Sequence, residues 1–135
     1  MHWTSAAGAL EKKLEEMVLK EIQKPWYIVK MGKNAITYAK RVLEFYKESD
    51  LKRISDKECW AFELVSRIIA EISYALYIIE NGEKEVKLEI KTMKVPIYGI
   101  AIPGETYRIS AKKERGFVEV EIYRNSEKIT EMNIK

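Results

Sequence analysis

The sequence predicts an α+β domain in which about three N-terminal helices are followed by a five-stranded antiparallel β-meander packed on a long central helix. Apolar residues recur with a period of 3.6 before Gly82 and with a period of 2 after it. Turn residues then separate several short strand-like runs. Helices followed by consecutive strands are typical of α+β domains, in which the sheet buries one face on helices. We therefore expect one domain over residues 1–135, with a helical lobe at 4–81 and a sheet lobe at 83–135.

The central helix is predicted from Ser55 to about Glu80. Ser55 and Glu58 have the spacing of a capping box, and Asn81-Gly82 supplies residues that tolerate a left-handed backbone where a helix ends. Its apolar arc covers nearly half of the circumference, so we expect a sheet on one flank and helices on the next. The arc comprises Ala61, Phe62, Leu64, Val65, Ile68, Ile69, Ile72, Ala75, Leu76 and Ile79.

The opposite arc of this helix carries a row of charges. Glu63, Arg67 and Glu71 follow one another at i,i+4 steps, which predicts a solvated face of ion pairs. Three charges inside the apolar run also argue against a membrane span, since each would cost about 2.5 to 3.5 kcal/mol in lipid. No membrane partner is expected.

Two further helices are predicted upstream. The first covers residues 4 to about 24, and Pro25 either ends it or begins the next helix. The apolar run 26–31 is ambiguous, because it fits a strand, a buried connector or the opening turns of the second helix. From Lys33 to Tyr46 the helical pattern is well defined.

Five strands are predicted after Gly82, at 85–91, 97–102, 106–112, 117–123 and 128–134. The hairpin registers that bring apolar residues together pair Ile102 with Tyr107, Ile100 with Ile109 and Tyr98 with Ala111. In the next hairpin they pair Ala111 with Val118, Ile109 with Val120 and Tyr107 with Ile122. In the last strand Ile129 and Met132 lie on opposite parities, so a β-bulge or a frayed start is expected there.

Composition narrows the class of protein. A chain of 135 residues has the size of one domain, and its single cysteine, Cys59, excludes an internal disulfide. The first residues lack the pattern of a signal peptide, which predicts a cytoplasmic protein. Charged residues make up 33% of the chain, while Gln23 and His2 are the single residues of their types. Many charged residues and few thermolabile ones are typical of proteins from thermophiles, so the composition is thermophile-like.

Catalytic and metal sites find little support. Cys59 has no nearby imidazole to act as a base, so we interpret it as a packed side chain near the start of the central helix. One histidine and one cysteine cannot make an ordinary zinc site, and the glycines form no phosphate-binding loop. Glu63 and Glu71 are the candidates for a catalytic carboxylate pair, but Arg67 lies between them as a neutralising partner. A solvated row of ion pairs is therefore favoured over an acid–base pair. We expect no metal and no cofactor.

The segment from Ile22 to Leu43 contains basic residues and no carboxylate, with Trp26, Tyr27 and Tyr38 interleaved. On a continuous second helix, lysines spaced by seven would form a basic ridge about 20 Å long. Such a ridge could follow a nucleic-acid backbone while Trp26 or Tyr27 stacks on a base; the alternative is an ordinary solvated face. The candidate nucleic-acid-binding residues are Lys24, Trp26, Lys30, Lys33, Lys40, Arg41 and Lys47.

Trp60, Tyr74 and Ile78 lie on the charged side of the central helix, where they form either a protein interface or a surface covered by the first helix. The leading hypothesis is a non-enzymatic binding or assembly module that associates with itself or with another protein. A nucleic-acid-binding protein is the second hypothesis. The third is a small-ligand or enzymatic pocket between sheet and helix, lined by Tyr98 and Tyr107.

Overall fold

The computed structural model describes residues 3–46, 61–92 and 104–135. In this part of the chain the architecture is α+β, with helices followed by a four-stranded antiparallel sheet in the order β1-β2-β3-β4. The helices are α1 (Trp3–Ile22), α2 (Pro25–Met31), a 3-10 turn (Gly32–Asn34), α3 (Ala35–Tyr46) and α4 (Ala61–Glu80). The strands are β1 (Glu85–Lys91), β2 (Thr106–Glu114), β3 (Phe117–Arg124) and β4 (Glu127–Ile134).

Helix α4 forms the centre of the molecule, as its wide apolar arc predicts. It packs against α1 and α3 and against the inner face of β1 and β2. Burial extends beyond the predicted arc to Ser66, Ala70 and Ser73. The serine hydroxyls donate to carbonyls of their own helix, Ser73 to Ile69 at 2.7 Å, so that they need no partner from a neighbouring element. The described residues of the predicted arc that are buried are Leu64, Val65, Ile68, Ile69, Ile72, Ala75, Leu76 and Ile79.

The end of α4 matches its sequence signal. Gly82 has φ +122, its N–H donates to the carbonyl of Ile79, and the N–H of Glu83 donates to that of Ile78. These two bonds satisfy carbonyls that the last turn leaves free. The predicted capping box at Ser55 and Glu58 lies outside the described residues.

The ambiguous run 26–31 is a short helix of its own. Pro25 occupies its first turn, where the missing N–H costs nothing, and Gly32 at φ +61 separates it from α3. Two predicted boundaries therefore change. The first helix ends at Ile22 rather than near Lys24, and the helix predicted from Lys33 is α3, which begins at Ala35 after the 3-10 turn.

The neighbour of β2 differs from the prediction. Strand β1 pairs with β2 so that Leu88 lies opposite Ile109 and Ile90 lies opposite Tyr107. The prediction gave this edge of β2 to the run 97–102, with Tyr98, Ile100 and Ile102 as the pairing residues, whereas the described part of the chain has β1 there. Both runs have the same alternation of apolar residues, and alternation fixes a face but not a partner. The run itself, the predicted fifth strand, lies outside the described residues.

The β2–β3 register is shifted by two residues from the prediction. Ala111 lies opposite Val120 rather than Val118, because the connection is a two-residue turn at Arg115-Gly116 instead of a four-residue loop. An even shift keeps the same side chains on the buried face. Between β3 and β4 the expected bulge is confirmed: Ile122 pairs with Thr130 while Tyr123 pairs with Lys128, which leaves Ile129 as the extra residue.

Candidate interaction surface on the second helix

Helix α2 has apolar side chains on two opposite sides. Tyr27 and Met31 are buried against the core, with Tyr27 only 3% exposed. On the other side Trp26 is 57% exposed and Val29 is 81% exposed, and Ile28 at the flank is 40% exposed. These three are the exposed large hydrophobic residues among 12–46, 63–92 and 104–135, the ranges in which the structure describes side-chain burial. We call them the α2 patch.

The buried side of α2 is anchored to α4 by a hydrogen bond. The Tyr27 hydroxyl donates to the Glu71 carboxylate at 2.9 Å. Burial raises the pKa of the Tyr27 hydroxyl far above its ordinary value, and the negative charge of Glu71 raises it further. Burial likewise raises the pKa of Glu71, while the Tyr27 hydrogen bond and the charge of Arg67 oppose that shift. The anchor fixes the orientation of α2 on the core.

Glu71 therefore does not lie on the solvated face that the sequence pattern predicted. Its carboxylate is partly buried under α2, because the short helix folds back over this turn of α4. Glu63 and Arg67, earlier in the same row, are exposed as predicted.

Two of the predicted basic residues form ion pairs with carboxylates of the same chain. Lys24 Nζ lies 2.6 Å from a carboxylate oxygen of Glu21, and the Arg41 guanidinium lies 2.5 Å from that of Glu80. Lys24 and Arg41, two of the seven predicted nucleic-acid-binding residues, therefore already have carboxylate partners. The charges that compensate them come from α1 and α4, outside the carboxylate-free segment.

The remaining basic residues differ from one another. The Lys30 ammonium lies 5.0 Å from the ring centroid of Trp26, a cation–π distance. Lys33 and Lys40 are exposed, and no salt bridge joins either to another described residue. Tyr27 is buried, so it cannot stack on a base. Lys47 lies outside the described residues.

Arg41 belongs to a network that closes the end of α4. It donates to Glu80 and to the carbonyl of Lys135 at 3.1 Å, and its guanidinium lies over the Tyr38 ring. Tyr38 also donates to Glu80 at 2.6 Å and meets Tyr77 edge to face. Burial alone would raise the pKa of Glu80, but the hydrogen bonds and the positive charge of Arg41 hold it below its ordinary value. The network is a structural tie among α3, α4 and the end of the described chain.

The residues predicted as an interface on α4 are less accessible than the α2 patch. Tyr74 and Ile78 are partly buried, and Tyr74 packs against the hydrophobic core. Trp60 lies outside the described residues, as do Cys59 and His2.

A pocket between sheet and helix finds limited support in the described residues. Tyr98 lies outside them, and Tyr107 is buried, with its hydroxyl donating to Glu105 at 2.6 Å. An open depression lies instead on the outer face of the sheet, among charged side chains that include Lys87, Glu89 and Arg108. Arg108 and Glu89 lie within ion-pair distance, at 3.7 Å. In the same described ranges, no group of three or more potential metal-ligating side chains is found.

Comparison with protein-family models, with curated proteins and with solved structures finds no match. No helix in the described ranges is long and apolar enough to cross a membrane.

Sequence reasoning found Trp26 but not Ile28 and Val29. The signal that could have found them is the proline at the start of a seven-residue helix whose other residues, apart from Lys30, are all apolar. A helix that packs on the core on one side cannot bury apolar residues on every side. The uncertainty between strand and helix at 26–31 concealed this argument.

Proposed function

We propose that this chain is a small non-enzymatic binding and assembly module that associates with itself or with another protein through the α2 patch. The observation that carries the proposal is the exposure of Trp26, Ile28 and Val29 together on one short helix. Full burial of a valine or isoleucine side chain is more favourable than exposure to water by about 1.5 to 3 kcal/mol. The exposed side chains of the patch do not gain this free energy until a partner covers them. Tryptophan is also among the residues that most often dominate binding energy at protein interfaces.

The attachment of α2 supports the same proposal. Tyr27 and Met31 are buried, and the hydrogen bond from Tyr27 to Glu71 ties the helix to α4. A surface held in place before binding loses less conformational entropy when a partner arrives. The patch is therefore a rigid element of the fold and not a loose apolar segment.

A nucleic-acid-binding protein is the second candidate, favoured by the exposure of Lys33 and Lys40 without salt bridges to other described residues. Phosphate contacts supply most of the affinity in such proteins. The pairing of Lys24 with Glu21 and of Arg41 with Glu80 reduces the charge available for them. For this reason the protein-binding proposal is preferred.

Sedimentation analysis over a range of concentrations tests association of the chain with itself, and titration with amphipathic peptides tests association with another protein. Val29→Asp should weaken whichever association the wild-type chain shows by at least about tenfold, because it places a charge in the apolar contact. Ser126→Asp is the matched control, since it adds the same charge in the β3–β4 turn, at a positive φ that aspartate tolerates. A wild-type chain that stays monomeric and binds no peptide would contradict the proposal.

A further inference from the structure

Building on the proposed function, we infer that the α2 patch binds an acidic segment of another protein, one that carries carboxylates beside an apolar side chain, and not a second copy of this chain. The inference concerns the chemical class of the partner. It follows from the charges around the patch and from the symmetry that self-association would impose.

The charges next to the patch are positive. Lys30 lies on α2 together with Trp26 and Val29, Lys33 follows in the 3-10 turn after Gly32, and no carboxylate occurs between residues 22 and 43. Lys30 contacts the ring of Trp26, and Lys33 forms no salt bridge with another described residue. The surface thus combines an apolar centre with cations beside it, and a complementary partner carries the reverse charge.

The outer face of the sheet provides a contrast within the same molecule. There Lys87 pairs with Glu85, Lys91 with Glu89, and Lys128 with both Glu121 and Glu131. These three lysines have carboxylate partners within the sheet. The lysines beside the α2 patch are left to a partner.

A second copy fits this surface poorly. In a two-fold symmetric dimer the same patch faces itself, so the lysines of one copy would face the basic segment of the other. Like charges brought together in this way oppose association, and the carboxylate-free segment offers nothing to neutralise them. An acidic partner avoids this repulsion, because its carboxylates attract the same lysines.

A nucleic acid also fits less well than an acidic protein. Val29 is the most exposed residue of the α2 patch, and an aliphatic side chain gains little from a phosphate backbone. The Trp26 ring, which would have to stack on a base, already holds the Lys30 ammonium 5.0 Å from its centroid. A protein segment supplies both an apolar side chain for Val29 and carboxylates for the lysines.

Two synthetic amphipathic peptides provide the test. They share one apolar helical face of leucine and phenylalanine and carry either glutamate or lysine at all flanking positions, and their binding is measured by fluorescence anisotropy at two ionic strengths. We expect the glutamate peptide to bind at least about tenfold more tightly at low salt, with a smaller preference at physiological salt because the charges are exposed.

Variants assign the preference to named residues. Replacing both lysines, Lys30→Glu with Lys33→Glu, should reverse the preference between the peptides, whereas Val29→Asp should weaken the binding of both. The control Lys84→Glu with Lys113→Glu changes two exposed lysines at the start of β1 and the end of β2 and should leave the preference unchanged. Circular dichroism of each variant checks that the fold is retained.

Several results would overturn the inference. Equal binding of the two peptides, absence of peptide binding, or a dimer that Val29→Asp dissociates would each do so, and the dimer would still support the proposed function. Tighter binding of a single-stranded oligonucleotide or of phosphatidylserine vesicles than of the glutamate peptide would replace the acidic protein by another partner. A monomer that binds neither peptide removes the proposed function as well.

Discussion

Glu71 and Glu80 lie on the same helix and each accepts a hydrogen bond from a tyrosine hydroxyl, yet their pKa values shift in opposite directions. The difference lies in the third group. At Glu80 the guanidinium of Arg41 adds a hydrogen bond and a positive charge to the hydrogen bond from Tyr38, and together they outweigh the effect of burial on the pKa. At Glu71 burial dominates, and Arg67 lowers the pKa by too little to cancel it.

These directions predict opposite pH dependences for two matched variants. The pKa of Glu71 is raised in the folded state, so its carboxyl group binds a proton more readily there than in the unfolded chain. The folded state therefore gains stability as pH falls from above the folded pKa of Glu71 to below its ordinary value of 4.5. Relative to Glu71→Gln, the wild-type chain should therefore become more stable on acidification over this window. The lowered pKa of Glu80 gives the reverse sign: its contribution is present above 4.5 and is lost as pH falls through the folded pKa.

Urea unfolding at a series of pH values, with wild type, Glu71→Gln and Glu80→Gln, measures both differences. If the free-energy difference between wild type and Glu71→Gln stayed constant with pH, Glu71 would not be buried as the structure shows.

The core makes a prediction at the same scale. Ile72 is fully buried in the middle of α4, so Ile72→Ala should lower the free energy of unfolding by about 2 to 5 kcal/mol through lost burial and the cavity it leaves. Val29→Ala, at an exposed position, should change it by less than about 0.5 kcal/mol. Chemical denaturation compares the two, and a loss below 1 kcal/mol at Ile72 would mean that this side of α4 does not face the core.

At the scale of elements, α2 is short and owes its position to its surroundings. Seven residues are too few for a stable helix in isolation. Pro25 fixes its start, Tyr27 and Met31 hold it to the core, and Gly32 turns the chain toward α3. The exposed side of the helix is thus positioned by interactions on its buried side.

Gly32 provides the test of this account. Its backbone, at φ +61 and ψ −140, lies in a region that residues with a Cβ rarely adopt, although nothing lies within 4 Å of where the Cβ would be. Gly32→Ala should therefore destabilise the chain by about 1 to 3 kcal/mol through backbone strain alone. Asn34→Ala in the same 3-10 turn is the control, because Asn34 is exposed and has no positive φ. Equal unfolding free energies for the two variants would contradict this role of the turn.

At the scale of the whole molecule, the formal net charge of +3 is less informative than its distribution. The segment 22–43 carries five cations, of which the fold neutralises Lys24 through α1 and Arg41 through α4. The helical side of the molecule is therefore less basic than its sequence suggests. What remains is a small cationic surface beside an apolar patch.

This distribution predicts weak binding to nucleic acid. We expect a dissociation constant no tighter than about 0.1 mM for a single-stranded oligonucleotide at physiological salt, the range of weak non-specific association. A tighter constant, with a salt slope that Lys33→Gln and Lys40→Gln together flatten by about two units, would favour the nucleic-acid hypothesis instead. Arg41→Gln is the control, since Glu80 already neutralises Arg41.

The sequence by itself determined the periodic features of this protein. Wide burial of α4, its end at Gly82, the buried faces of β2 and β3 and the bulge at Ile129 all follow from the spacing of apolar residues and from local turn chemistry. These signals lie within a few residues of the structure they specify. The sequence also indicated Trp26 as a candidate binding residue, because it is an aromatic residue among lysines.

Only the tertiary structure decided which elements and charges meet. Alternation could not select β1 over another run as the partner of β2, since a matching face fixes parity but not neighbour. The pair of Glu21 and Lys24 is local, since the two residues are three positions apart. Alternation could not show that Glu80 neutralises Arg41, because only the packing of α3 against α4 brings these two charges together. The exposure of Val29 has the same origin: α2 contacts the core through Tyr27 and leaves its other apolar side to solvent.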